Sequence, residues 1–165
     1  MHDMMAQRID KYFANHLNLP IQEASRLHRE YYVNYGHSIE GLVRHHQIDP
    51  LDYNAKVDDD LPLEGVIMPD PDLRQLLLDI DRSHVTVWLL TNAYVTHARR
   101  VVKLLGVDDL FDGLTYCDYL DMPLICKPSA AMYKKAMQDA GVDNVSQCLF
   151  VGAYLCCGLS ERTHL

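Results

Sequence analysis

Positive charge is scarce in this 165-residue chain: 15 lysines and arginines face 23 aspartates and glutamates, for a formal net charge of −8. A protein that grips nucleic acid through its phosphates needs a basic surface, so that class is excluded. Long apolar runs are also missing, and none approaches the ~20 residues of a membrane span. The start, Met1-His2-Asp3-Met4-Met5, has no basic stretch followed by an apolar one, as a secretory signal would. Asp3 and Asp10 do not suit an acid-poor mitochondrial transit peptide. The five cysteines (Cys117, Cys126, Cys148, Cys156, Cys157) are odd in number and show no C-x-x-C spacing. They read as reduced thiols filling apolar positions, in a cytosolic or nuclear protein.

What is present is ordinary globular composition, 48% hydrophobic and 23% charged, which excludes collagen-like, low-complexity and wholly disordered chains. The length suits one domain, or a core with an appendage. The first 60 residues read as helical. Met5, Ile9, Tyr12, Phe13 and Leu17 recur at helical spacing over residues 4–17. Pro20 separates this helix from a second over residues 22–35, with Ala24, Leu27, Tyr31 and Tyr35 on one stripe and Gly36 as its stop. Ser38 is placed to cap a short third helix. Asp49-Pro50 opens another over residues 51–57. The acidic run Asp58-Asp59-Asp60 reads as a solvated face.

Beyond Pro69-Asp70-Pro71, which has the character of a hinge, the pattern alternates. A helix is predicted over residues 72–82 and a strand buried on both faces over 85–90. A helix over 94–105, a short strand over 114–116, a helix capped by Ser129 and a strand over 147–151 follow. Such alternation implies a parallel α/β sheet. Ligands of these sheets bind beyond the carboxyl ends of the strands. That rule selects Thr91-Asn92, Lys127-Pro128-Ser129 and Gly152-Ala153. Thr91 and Asn92 are read either as a ligand-facing pair at a helix start, which favours an anion, or as plain helix caps. Lys127 is read either as a neutraliser of phosphoryl charge or as a solvated loop lysine.

Ordered stretches of this kind are found together in one family. They are Tyr31-Tyr32-Val33-Asn34-Tyr35-Gly36, Gly41-Leu42-Val43, Tyr53-Asn54 and Val57-Asp58-Asp59, then Leu90-Thr91-Asn92-Ala93, residues 110–119, and Cys126-Lys127-Pro128. The chain resembles the haloacid dehalogenase superfamily of phosphatases, and within it the fungal pyrimidine 5′-nucleotidase branch. Phosphoglycolate phosphatases and dehalogenases are the neighbouring alternatives.

The resemblance implies an α/β fold: a Rossmann-like parallel sheet core lacking its first strand, with an N-terminal helical cap. It divides the chain into a cap (1–65), a partial core (66–151) and an unrelated tail (152–165). It implies hydrolysis of nucleoside 5′-monophosphates such as UMP and CMP, with magnesium. Thr91 takes the place of the hydroxyl that binds the phosphoryl group, with Asn92 beside it. Lys127 takes that of the lysine that steadies nucleophile and phosphate. Tyr35, His37 and Arg44 lie in the cap as packing or surface residues.

Two features of the resembled enzymes are not found. No Asp-x-Asp follows an apolar strand, so the nucleophile and the acid/base needed for phosphoryl transfer are absent. Asp70-Pro71-Asp72 has the spacing but the prolines of a hinge. Gly152-Ala153 stand where an acidic pair would hold magnesium. His45 and His46, as neighbours, point to different faces of a helix and suit no metal. The expectation is an enzyme fragment, inactive as 165 residues, that begins at the cap and leaves the family's sequence after Val151. The alternative is a non-catalytic remnant that binds a nucleotide or a partner. The sequence does not set the oligomeric state. Without the first strand, the segments near 85–90 and 148–151 lose a shared neighbour and expose unpaired backbone.

Overall fold

The computed structural model describes residues 2–152. Helices α1 (His2–Leu17), α2 (Ile21–Tyr35), α3 (Ser38–His46) and α4 (Pro50–Tyr53) form the N-terminal part, and α4 runs on into a π-helical segment, Asn54–Asp59. The stripe read from the sequence is the buried one. Phe13, Ile39, Leu42 and Val57 are fully enclosed, with Tyr12, Ala24, Tyr31 and Tyr53 around them. Burying each of the larger apolar chains stabilises the fold by roughly 1.5–3 kcal/mol. Gly41 permits α3 to lie on α2, since a Cβ there would meet the Tyr31 ring at 2.2 Å.

Local chemistry explains most boundaries. The Asp49 side chain accepts a hydrogen bond from Leu51 N at 2.9 Å, with Pro50 in the first turn of α4. At the start of α3 the cap residue is His37, not Ser38, and it makes no side-chain capping bond. Asp70 caps α5 (Pro71–Leu78) by accepting from Leu73 N at 2.9 Å, so residues 69–71 are a helix start. This helix ends at Asp79, short of the predicted residue 82.

The α/β part has two short parallel strands. β1 (Trp88–Leu90) pairs with β2 (Gly113–Thr115) in the register Trp88–Gly113, Leu89–Leu114, Leu90–Thr115. Helix α6 (Val95–Leu105) connects them and α7 (Ala130–Asp139) follows. Ser129 caps α7 by accepting from Ala131 N at 3.3 Å, as its position implies. The fold is α/β with a parallel sheet, the class that the sequence implies. Among the described residues no helix is long and apolar enough to cross a membrane.

Two strand predictions are corrected. The first extends only over Trp88–Leu90 and is half-buried rather than enclosed, while Val85 is exposed. Residues 147–151 are not a strand. A 3-10 turn, Val145–Gln147, leads into chain with no sheet partner, in which Leu149 is 90% and Val151 85% exposed. A strand exists only through a neighbour's hydrogen bonds, and among the described residues nothing is paired beside 148–151. Cys148 is exposed, against its reading as a core filler, whereas Cys117 and Cys126 are buried. Cys156, Cys157 and the expected tail lie outside the described residues.

Candidate functional site at the carboxyl end of β1

The ladder continues one bond past β1: Thr91 N donates to Thr115 O at 3.0 Å. This holds the backbone of Thr91 in line with the sheet. Its hydroxyl oxygen accepts from Ala93 N at 3.1 Å, which leaves the hydroxyl hydrogen to donate elsewhere. The chain then turns into α6.

Lys127 comes from the far side of the loop after β2. Its Nζ donates to Leu90 O at 2.9 Å, so the ammonium sits at the strand end beside Thr91. It also lies 5.8 Å from the centre of the Phe150 ring, on which a cation is favoured. Burial pushes the lysine pKa down from its ordinary value.

Asn92 joins the two loops. Its side-chain Nδ2 donates to Lys127 O at 2.9 Å, and its Oδ1 accepts from Lys127 N at 2.7 Å. Both ends of the amide are thus spent on the backbone N–H and C=O of one residue. Asn92 fixes the backbone from which the lysine projects.

The helical part reaches this point as well. Gly36, at φ +76°, ends α2 against the Lys127–Pro128 peptide; a Cβ there would lie 2.5 Å from Pro128 Cδ and 2.6 Å from Lys127 O. Only glycine allows both the left-handed turn and the approach. Next to it, His37 Nε2 lies 3.1 Å from Asn92 O and 3.0 Å from the Tyr119 hydroxyl. A carbonyl only accepts, so this nitrogen carries the hydrogen. The Tyr119 hydroxyl in turn donates to Asp58 Oδ2 at 3.3 Å. His97 Nδ1 donates to Asp58 O at 3.1 Å.

Desolvation governs the charges here. Burial lowers the His37 pKa to about 4 and raises that of Asp58 to about 7, with Asp59 adding to the second shift and the Tyr119 hydrogen bond opposing it. Asp58, read from the sequence as part of a solvated acidic face, is 5% exposed. Its neighbour Asp59 accepts from Asn54 and Thr96 at 2.7 and 2.8 Å. Of the acidic run only Asp58 is buried; Asp59 and Asp60 are exposed, as a solvated face implies. Arg100 on α6 adds to the seam with the π-helical segment, donating to Asp59 O, Leu61 O and both oxygens of Glu64.

Thr91, Asn92 and Lys127 therefore converge at one strand end. The sequence reading left Gly36 as a plain helix stop, His37 as packing or surface and Asp58 as solvated. Their contacts reach across 55 to 91 positions of chain, where periodicity carries no signal. The Arg44 guanidinium pairs with Glu40 and lies 5.2 Å from the Tyr35 ring centre, while the Tyr35 carbonyl accepts from Cys126 Sγ at 3.6 Å.

A parallel sheet with a lysine and a threonine at one strand's carboxyl end, next to a helical N-terminal part, agrees with one family. The chain belongs to the haloacid dehalogenase-like hydrolases, whose family model matches residues 2–153. It is similar to Phosphate metabolism protein 8 of Saccharomyces cerevisiae: 40% identical over 157 residues, covering 90% of this chain and 49% of the yeast protein. The chain thus spans about half the length of that relative.

Proposed function

We propose that this chain carries the cap and the phosphate-holding part of a phosphatase that acts on pyrimidine nucleoside 5′-monophosphates such as UMP and CMP. The observation that carries the reading is the placement of Lys127 Nζ 2.9 Å from the carbonyl of Leu90, the residue before Thr91. A cation and a hydroxyl donor at a strand end suit the charge of a phosphate monoester. Asn92 contributes by holding Lys127. In this reading residues 1–65 are the cap, 66–151 a partial core and 152–165 a tail outside the family pattern. The yeast relative's name, which speaks of phosphate metabolism, agrees with the substrate class. The pyrimidine branch rests on the cap stretches.

Family resemblance implies magnesium, a cation that takes carboxylates and water. Among the described residues no group of three or more His, Cys, Asp or Glu side chains is placed to hold a metal ion. Gly152 stands where the resembled enzymes carry an acid. The residues present do not fit the ion, and no step is derived through it. Nor is a carboxylate nucleophile with its acid/base partner found among them. In this reading the 165 residues bind a phosphate ester without turning it over.

Calorimetric titration of UMP into the chain tests the reading. Binding is expected, weakened roughly 10–100-fold in Lys127→Ala, the worth of a charge-assisted hydrogen bond. Absence of heat with UMP and with inorganic phosphate overturns the site. Magnesium-dependent phosphate release above the Lys127→Ala control overturns the non-catalytic part.

A further inference from the structure

The turn between α2 and α3 touches both loops of the site with three successive residues. Tyr35 O accepts from Cys126 Sγ at 3.6 Å. Gly36 lies against the Lys127–Pro128 peptide. His37 stands at the start of α3 but makes no capping bond there. Its ring reaches across the chain instead, and Nε2 donates to Asn92 O at 3.1 Å. The Tyr119 hydroxyl lies 3.0 Å from the same nitrogen and passes its own hydrogen on to Asp58. The His37 and Tyr119 rings meet edge-on, with centres 5.8 Å apart at 72°.

Asn92 O belongs to the peptide that joins Asn92 to Ala93. The N–H of that same peptide donates to the Thr91 hydroxyl oxygen at 3.1 Å. His37 therefore holds one end of the peptide and Thr91 the other. A peptide held at both ends fixes ψ of Asn92 and the rotamer of Thr91. It thereby fixes the frame from which the Asn92 amide grips the Lys127 backbone at 2.9 and 2.7 Å. Lys127 Nζ then returns to Leu90 O at 2.9 Å. Without the His37 N–H, the Asn92 carbonyl loses its donor and turns to find another.

We infer that His37 is a positioning residue: its Nε2–H, given by the helical part to Asn92 O, keeps the Thr91 hydroxyl and the Lys127 ammonium in place at the end of β1. It acts through Asn92 rather than on a ligand. Its effect on phosphate binding rests on the proposed function; its effect on Lys127 does not.

Two substitutions separate the hydrogen bond from the packing. His37→Phe keeps a ring beside Tyr119 and loses the N–H. His37→Gln keeps an N–H at similar reach and loses the ring. Each 165-residue chain is pulsed with acetic anhydride, and acetylation of every lysine is read by mass spectrometry. Lys127 is expected to react about 3–10-fold faster in His37→Phe, the factor of one lost hydrogen bond. It should react at the native rate in His37→Gln, with the exposed Lys11 and Lys134 unchanged in both. Calorimetric titration of UMP should follow the same order, with binding weakened about 3–10-fold in His37→Phe alone. A native rate at Lys127 in His37→Phe overturns the inference. So does faster reaction in His37→Gln, the mark of a packing role, or equal acceleration of every lysine in His37→Phe, the mark of a lost fold. Faster reaction of Lys127 in His37→Phe alone, with no UMP binding by the native chain, supports the inference and overturns the proposed function.

Discussion

Phe13 and Leu149 are both large apolar residues, yet one is fully enclosed and the other 90% exposed. The difference separates two regions. In the helical N-terminal part each helix satisfies its backbone within its own segment. It then needs only a neighbour's side chains, which α1, α2 and α3 give each other. In the α/β part a strand must find its hydrogen bonds in another segment. β1 has β2; residues 148–151 have no paired neighbour among the described residues. An apolar run therefore becomes buried structure in the first region by itself, and in the second only if a partner strand is there. The seam between the regions is polar: His37, Asn92, Tyr119 and Asp58 on one side of it, Arg100 with Asp59 and Glu64 on the other.

The sharpest test of that contrast is truncation. Phe13→Ala should cost about 3–5 kcal/mol, the range for an enclosed aromatic, whereas Leu149→Ala should stay within about 0.5 kcal/mol, as for an exposed site. Urea denaturation of both variants measures the gap, and equal costs would mean that Leu149 is covered in solution.

The seam is probed next, by pH. Asp58 has a folded pKa of about 7 against an ordinary 3.8. Its contribution to stability is present below pH 3.8 and is lost as pH rises to about 7. His37 goes from 6.5 to about 4. Its contribution is present above pH 6.5 and is lost as pH falls to about 4. The two slopes oppose each other between pH 4 and 6.5. Asp58→Asn should uncover a rise in stability with pH, and His37→Gln a fall, each about 2–4 kcal/mol across the window. Thermal melts from pH 4 to 7 check both signs.

A smaller effect compares close packing in the two regions. A Cβ on Gly41 meets the Tyr31 ring at 2.2 Å, and one on Gly113 meets the Trp88 ring at 2.0 Å. Gly113→Ala should cost about 1–3 kcal/mol by overpacking, the more so because Trp88 Nε1 is held by Thr115 Oγ1 at 2.9 Å. Gly41→Ala should cost less, since alanine recovers up to about 1 kcal/mol of helix propensity. Melting temperatures of the two variants rank them.

Legibility followed the range of the interaction. Helix existence, the start at Asp49-Pro50, the cap at Ser129 and the stop at Gly36 were readable because their causes lie within four residues. The position of Thr91, Asn92 and Lys127 near one strand end was legible too, because a strand end and a helix start mark these residues. Missed were the burial of Asp58 and the two hydrogen bonds of Asn92 to the Lys127 backbone. Strand length was overestimated at 85–90 and 147–151, since apolar β-branched composition says nothing of whether a partner is present.

By itself, then, the sequence determined the local elements: which segments coil, which residues close them, and which side chains stand at the end of β1. Those choices depend on backbone sterics and on hydrogen bonds between near neighbours. The tertiary structure alone decided what meets across the chain. It put Gly36 on the Lys127–Pro128 peptide, left His37 and Asp58 to titrate in a desolvated seam, and left residues 148–151 without a sheet. Burial and strand pairing are properties of segments brought together, and neither is written in any one of them.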